Sequence, residues 1–344
     1  MKKWPPSPVD DDLDLPGPYD GVEAADLWFL PDAVEDDGPP LPKAERALLI
    51  EPEAWRAAEA SQSAALADLA FDAGRLAERL RGAGAGTGQR LALEEAAALS
   101  WWTGERVAGD RLALWLSYRI GAAEAGGEAL IRIAWAARRL AGPGASDIAA
   151  TVGDLLGDAG RGDLGFVADV VEAMDGVAGL APVTRGCAAF HLWRSLDERP
   201  EHLRGLEAAV LGARLAVAGQ GGLGFLPLAL TGFGALTASG DPEQRLGPWV
   251  QGAHRAVLAA LMSLERLATW RDRAEAATSD LSGRTPTRLI AALAAHPMLG
   301  AAQAEAETGA SRAAVQRNLD VLEARGLVRE VTGAGRFRVW AAKV

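Results

Sequence analysis

The chain has 344 residues, 49% of them hydrophobic, with a net charge of −11 and one cysteine, Cys187. That length buries a sizeable core and predicts two or three domains. A single cysteine excludes an intrachain disulfide and a cysteine-based zinc site, and the acidic balance argues against nucleic-acid binding over the whole surface.

Residues 1–50 hold half of the 18 prolines and an acid-rich string, "VDDDLDLPGPYDGVEAADLWFLPDAVEDDGPP". Proline at that density prevents a long helix, and the segment has no strand alternation, so it reads as a disordered or draped arm. Leu27, Trp28 and Phe29 are its candidate anchor. The opening "MKKWPPSPVDDDLD" has no apolar run of the kind a signal peptide needs, which predicts a cytoplasmic setting.

Helical patterning begins near Pro52. Leu66, Leu69, Phe71, Leu76 and Leu80 predict one long amphipathic helix that stops at "GAGAGTGQ", residues 82–89. No Gly-Lys-Ser/Thr closes that glycine run and no strand precedes it, so it reads as a linker rather than a phosphate loop. Further helices are expected at 91–103, 110–122, 127–140, 145–156, 164–175, 182–196, 201–218 and 247–277. The expected body is therefore all-α, over residues 51–280. The charge-free run 215–240 is broken by "GQGGLGFLP" and suits a buried helix end and loop better than a membrane span. Of the adjacent Trp101 and Trp102, one is expected in the core and the other on a dimer surface or pocket. His191 and Cys187 stand four apart, a spacing that suits packing or a Cys-His pair; the chain's four histidines have no metal-ligand spacing, so no metal and no cofactor is expected.

"TSDLSGRTPT", residues 278–287, is a polar break, and the pattern changes beyond it. Thr285 is a candidate N-cap, with Pro286 at the first position of a helix, and a second short helix closes at Gly309. Ser311 caps a third helix, from Arg312 to Arg325, ended by Gly326. Val315, Leu319 and Leu322 form its inner face; Ala313, Gln316, Arg317 and Asp320 lie roughly opposite. "LVREVTGAGRFRVWAA" supplies two strands around "GAG". Three helices and a hairpin predict a winged helix-turn-helix over 285–344. The candidate contacts to double-stranded DNA are Ser311, Arg312, Ala313, Gln316, Arg317, Arg336 and Arg338, with Gln316 and Arg317 suited to base edges and the wing arginines to phosphate. Residues 309–344 carry seven basic and three acidic side chains, an excess of +4 against −15 for the rest. A basic tip on an acidic body is the expected charge layout.

Two resemblances bear on the body. Residues 188–232, "AAFHLWRSLDERPEHLRGLEAAVLGARLAVAGQGGLGFLPLALTG", resemble the core of the Fic-domain family. The helix at 247–273 resembles the Trp-bearing helix that follows in that family, and Glu105 is nearest to an upstream inhibitory glutamate. The family's loop, His-Pro-Phe-x-Asp/Glu-Gly-Asn-Gly-Arg-x-x-Arg, is replaced by "RSLDERPEHLRG". Arg194 falls at the base position and Glu198 at the acidic one, while 199–202 replaces the glycine turn. Arginine stays protonated and cannot act as the base, so no catalytic residue carries over. Glu105, Arg194, Glu198, Arg199, His202 and Arg204 remain a candidate vestigial or small-anion effector site; a solvated salt-bridge surface is the simpler reading. The whole layout also resembles an uncharacterised bacterial family joining a helical domain to a C-terminal helix-turn-helix DNA-binding domain. Together these imply a DNA-binding transcriptional regulator whose Fic-like, non-catalytic body serves dimerisation or sensing. A nucleotide-dependent transferase with a non-standard site and a protein-interaction module are the alternatives.

Overall fold

The structure, a computed structural model, describes residues 49–118, 126–144, 146–160, 165–333 and 338–344. The expected N-terminal arm and its Leu27–Phe29 anchor lie outside the described residues. The chain is mainly helical, with a small C-terminal sheet.

The body opens with α1 (Pro52–Ser61) and α2 (Ser63–Ala83), where one helix was expected; the chain breaks at Gln62, whose backbone leaves helical geometry. Leu69 and Leu76 are buried as read, but Phe71 is 71% exposed. Two residues from Leu69, it points some 200° around the helix, away from the core. α3 (Ala85–Trp102) starts inside the glycine run that reads as a linker. Only Gly84, at φ 89°, breaks the helix there. Gly86 is needed for a close approach instead, because a Cβ on it would run into the carbonyl of Ala295.

α4 (Gly109–Tyr118), α5 (Gly127–Ala141), α6 (Ile148–Gly160) and α7 (Val167–Asp175) follow, then α8 (Pro182–Leu196) and α9 (Glu201–Leu215). α8 and α9 are the middle of the main core. Gly186 and Gly212 let their backbones meet: a Cβ on Gly186 would sit 2.5 Å from the Gly212 carbonyl. Around that crossing Phe190, Trp193, Val210 and Leu211 are fully buried. The run 215–240 forms the end of α9, a loop held by the Leu226 amide donating to Ala213 at 2.8 Å, and the short α10 (Gly234–Thr237). Among the described residues no helix is long and apolar enough to cross a membrane.

α11 (Pro242–Ala277) runs 36 residues and starts five earlier than its apolar pattern implies. Asp241 and Gln244 form a reciprocal capping box, with Pro242 in the first turn. Its last third leaves the main core and enters a second one. There Leu267, Trp270 and Ala274 pack with α12 (Thr285–Ala295), the two-residue strand β1 (Leu299–Gly300), α13 (Ala301–Thr308), α14 (Arg312–Ala324), β2 (Val328–Glu330) and β3 (Val339–Ala342). The sheet order is β1-β3-β2, antiparallel throughout, so β1 adds a third strand to the two expected. Leu289, Leu293, Val315, Leu319 and Trp340 are its buried centre.

Candidate nucleic-acid interface

α12, α13, α14 and the hairpin β2–β3 have the element order of a winged helix, and local signals place each end. Gly309 closes α13 in the left-handed region at φ 65°, and Ser311 caps α14 by accepting from the Ala314 amide at 3.4 Å. The start of α12 departs from expectation: Arg284, not Thr285, is the cap residue, and no side chain caps it. Val315, Leu319 and Leu322 anchor the inner face of α14. That burial turns Ser311, Arg312, Ala313 and Arg317 to solvent, with Gln316 half-buried beside them.

The head is fastened to the body at several points. Arg90 of α3 donates to the carbonyls of Leu293 and His296, at 3.0 and 2.7 Å, where a cation suits the C-terminal end of α12. Trp270 donates its indole N–H to the Leu327 carbonyl at 2.8 Å, and the Tyr118 hydroxyl accepts from the Gly300 amide. The outer surface of α14 is therefore held by a packed frame rather than by a tether.

The electrostatics are narrower than the local charge count implies. Arg325 makes a bidentate pair with Asp280, at 2.6 and 2.8 Å, and Arg329 pairs with Asp110 of α4 at 2.7 Å. Arg338 lies 3.0 Å from Glu323 and 3.6 Å from Asp320, its guanidinium 4.9 Å from the Trp340 ring centre. Arg312 approaches Glu305 at 3.6 Å but its side chain stays 73% exposed. Arg317 forms no ion pair among the described residues. Gln316 donates to Asp320 at 2.8 Å, one helical turn on. Arg336 lies outside the described residues. Among the described basic side chains of 309–344, the open ones are thus Arg312 and Arg317, in the first turn and a half of α14, and Lys343 beyond β3.

The second candidate cluster has the opposite character. Arg199 is clamped by Asp197 and Glu207, with its Nε 2.9 Å from Asp197. The Asp197 hydrogen bond comes first in holding the guanidinium pKa above its ordinary value. Burial alone would raise the Asp197 carboxyl, but the side chain and amide of Arg199 outweigh it and hold the acid below its usual range. Arg194 pairs with Glu201 at 2.6 Å and stacks 5.6 Å from Trp102; Arg204 pairs with Glu201 at 2.7 Å. Glu105 sits apart from this loop's pairs, bound to Arg132 at 2.5 Å. Glu198 is exposed at the loop and His202 half-buried at the start of α9. The loop brings arginines together, each with a carboxylate already on it. Of the tryptophan pair, Trp101 is 55% exposed and Trp102 packs toward Phe190 at 6.0 Å.

Elsewhere, Cys187 and His191 share the buried side of α8. Burial pushes the thiol well above its ordinary value and lowers the imidazole to about 3, helped by Arg245 and Arg194. Neither is ionised near neutral pH, which removes the pairing a thiolate nucleophile needs. Sequence reading passed over Glu95, a fully buried carboxylate on α3. It accepts from the Leu228 and Ala229 amides at 2.8 and 2.9 Å, and its other oxygen has no hydrogen-bond partner among the described residues. Burial pushes its pKa up to about 7 against the pull of those amides. Among the described residues no three His, Cys, Asp or Glu side chains converge to hold a metal ion.

No curated protein matches the chain. Residues 279–336, from the turn after α11 through β2 and ending short of β3, match the MarR family. The match supports a DNA-binding transcriptional regulator: a mainly helical chain whose C-terminal winged helix is similar to that of the MarR family.

Proposed function

We propose that the chain regulates transcription in the cytoplasm by setting α14 into the major groove of duplex DNA. In this reading Arg317 and Gln316 meet base edges, and Ser311, Arg312 and Ala313 meet the backbone near the helix start. Arg338, with Arg336, reaches phosphate from the wing. The observation that carries it is the exposed Arg317, without an ion pair among the described residues, on the face of α14 turned away from Val315, Leu319 and Leu322.

The body, in the same reading, is a Fic-like scaffold without catalysis that serves dimerisation or sensing. Its support is chemical. Arg194 stands where a base would be needed and is paired with Glu201, and Arg199 is already held by two carboxylates. A small anion entering there must displace Asp197 or Glu207, which makes this loop a costly effector site.

The test is selection of genomic duplex fragments at low salt, followed by titration against salt. Binding is expected to weaken by about 0.9 log units per neutralised phosphate for each tenfold rise in salt. Retention of no duplex at low salt would overturn the reading. A protein partner captured by the same head, with DNA ignored, would favour an interaction module. The carboxylates Asp320 and Glu323 beside Gln316 and Arg338 are the feature that would then explain it.

A further inference from the structure

α11 buries one side against the body and leaves another uncovered. On the uncovered side Gln251, Arg255, Leu258, Met262, Glu265 and Thr269 follow one another in steps of four and three. That spacing is the 3.5-residue repeat of a helix seam, and here it runs for about 27 Å. Leu258 and Met262, at its centre, are 39% and 62% exposed. Beside Met262 lies a concavity of about 340 Å³, floored by Trp270 and edged by Val344.

We propose that this face of α11 is the contact with a second copy of the chain, the two helices antiparallel and the twofold axis level with Ala260. The pattern is self-complementary only in that arrangement. Leu258 falls on Met262 of the other copy, Arg255 on its Glu265, and Gln251 on its Thr269. A parallel pairing would set Arg255 against Arg255 and Glu265 against Glu265. Both charges are available: Arg255 forms no ion pair among the described residues, and Glu265 has a 3.4 Å contact with Arg79 in which both side chains are more than 60% exposed. The concavity begins at Met262, so the incoming Leu258 packs at its edge. An isologous contact of this kind repeats every interaction twice, so two Arg–Glu pairs flank one apolar centre.

The inference deepens the dimerisation part of the reading above, and its test is run without DNA, so the two fail separately. Sedimentation of the full chain over a range of concentrations is expected to show a reversible monomer–dimer equilibrium. Arg255→Glu and Glu265→Arg alone should each weaken it by at least about tenfold, since each places like charges together at two symmetric points. The double reversal, R255E with E265R, should restore it, and Met262→Glu should abolish it. Circular dichroism and urea unfolding of the variants confirm that the fold survives. A chain that stays monomeric throughout, a dimer indifferent to Met262→Glu, or folded single reversals that the double does not rescue would each overturn the proposal.

Discussion

Arg214 in the body commits its guanidinium to the carbonyls of Arg139 and Pro143, at 2.7 and 2.6 Å, and to the carboxylate of Asp154. Arg317 in the head carries the same group into solvent, where no carboxylate meets it among the described residues. The two arginines are alike in sequence and opposite in use. What separates them is the supply of acceptors: helix-end carbonyls and acids converge on one, while the inner packing of α14 turns the other outward. Arg199, between Asp197 and Glu207, belongs with Arg214. A dense arginine motif therefore marks a structural knot in the body, and a lone exposed arginine marks the face of α14 proposed to meet DNA.

The contrast is tested most severely at Arg214. Its side chain is 1% exposed, and Arg214→Met takes its donors away from the Arg139 carbonyl at the end of α5 and from the Pro143 carbonyl in the loop beyond it. The expected loss is about 3 kcal/mol of unfolding free energy, read by urea denaturation. Arg317→Ala, exposed, should cost less than about 0.5 kcal/mol in the same assay. Equal losses would erase the distinction.

Glu95 sharpens it from the acidic side, as a buried body carboxylate held only by amides. Its pKa stands near 7 when folded, above the ordinary 4.5, so the folded state holds the proton more tightly than the unfolded chain. Its contribution is fully present below pH 4.5, declines as pH rises from there, and is lost once pH passes the folded value. The linked cost above that window is about 3 kcal/mol. Glu95→Gln keeps an oxygen for the Leu228 and Ala229 amides and removes the charge. Urea midpoints at about pH 5 and about pH 8 should then differ less in the variant than in the parent. An identical pH dependence in both would show that Glu95 does not govern it.

Much of the head is legible in its residues because its signals are local. Gly309, Ser311 and Gly326 punctuate α14 within a few positions, and Val315, Leu319 and Leu322 repeat at helical spacing and are buried. α8 likewise lies where Pro182 and Leu196 bound it. What is not legible is what joins distant segments. Asp110 lies far in sequence from Arg329, and nothing near either residue announces the pair that removes Arg329 from the open basic surface. Gly86 reads as one linker glycine among several, since its role is set by Ala295 from another element. Two misreadings had a local remedy: Phe71 breaks the helical period that Leu69 and Leu76 keep, and Asp241 with Gln244 spells a capping box ahead of α11.

In the head, the contrast predicts that Arg317 matters for DNA and hardly at all for stability. Arg317→Ala should weaken duplex binding by about 10- to 100-fold, in the range of about 1–3 kcal/mol for a base-edge arginine, and relax preference at the base it reads. If it instead weakens all sequences equally and lowers the salt slope by about 0.9, Arg317 meets phosphate and the base-edge assignment moves to Gln316.

The smallest expected effect concerns Asp320, which makes part of the head resemble the body. It accepts from Gln316 at 2.8 Å and lies 3.6 Å from Arg338, so one carboxylate restrains the amide proposed to read bases and a wing cation together. In the proposed complex, entry of DNA breaks the first of these contacts and brings phosphate charge toward the same acid. Asp320→Asn removes the repulsion while leaving an oxygen to accept from Gln316, and it weakens the hold on Arg338, which still has Glu323 at 3.0 Å. Because the pair is exposed, the gain is modest: about two- to fivefold tighter binding, within the ~1 kcal/mol typical of surface charge pairs. If Arg338 reaches phosphate once released, the salt dependence steepens by up to about 0.9 as well. Tighter binding with an unchanged slope would place the effect on Gln316 and leave Arg338 with Glu323. Unchanged affinity would mean that neither group faces the duplex, and the wing side of α14 would then drop out of the interface.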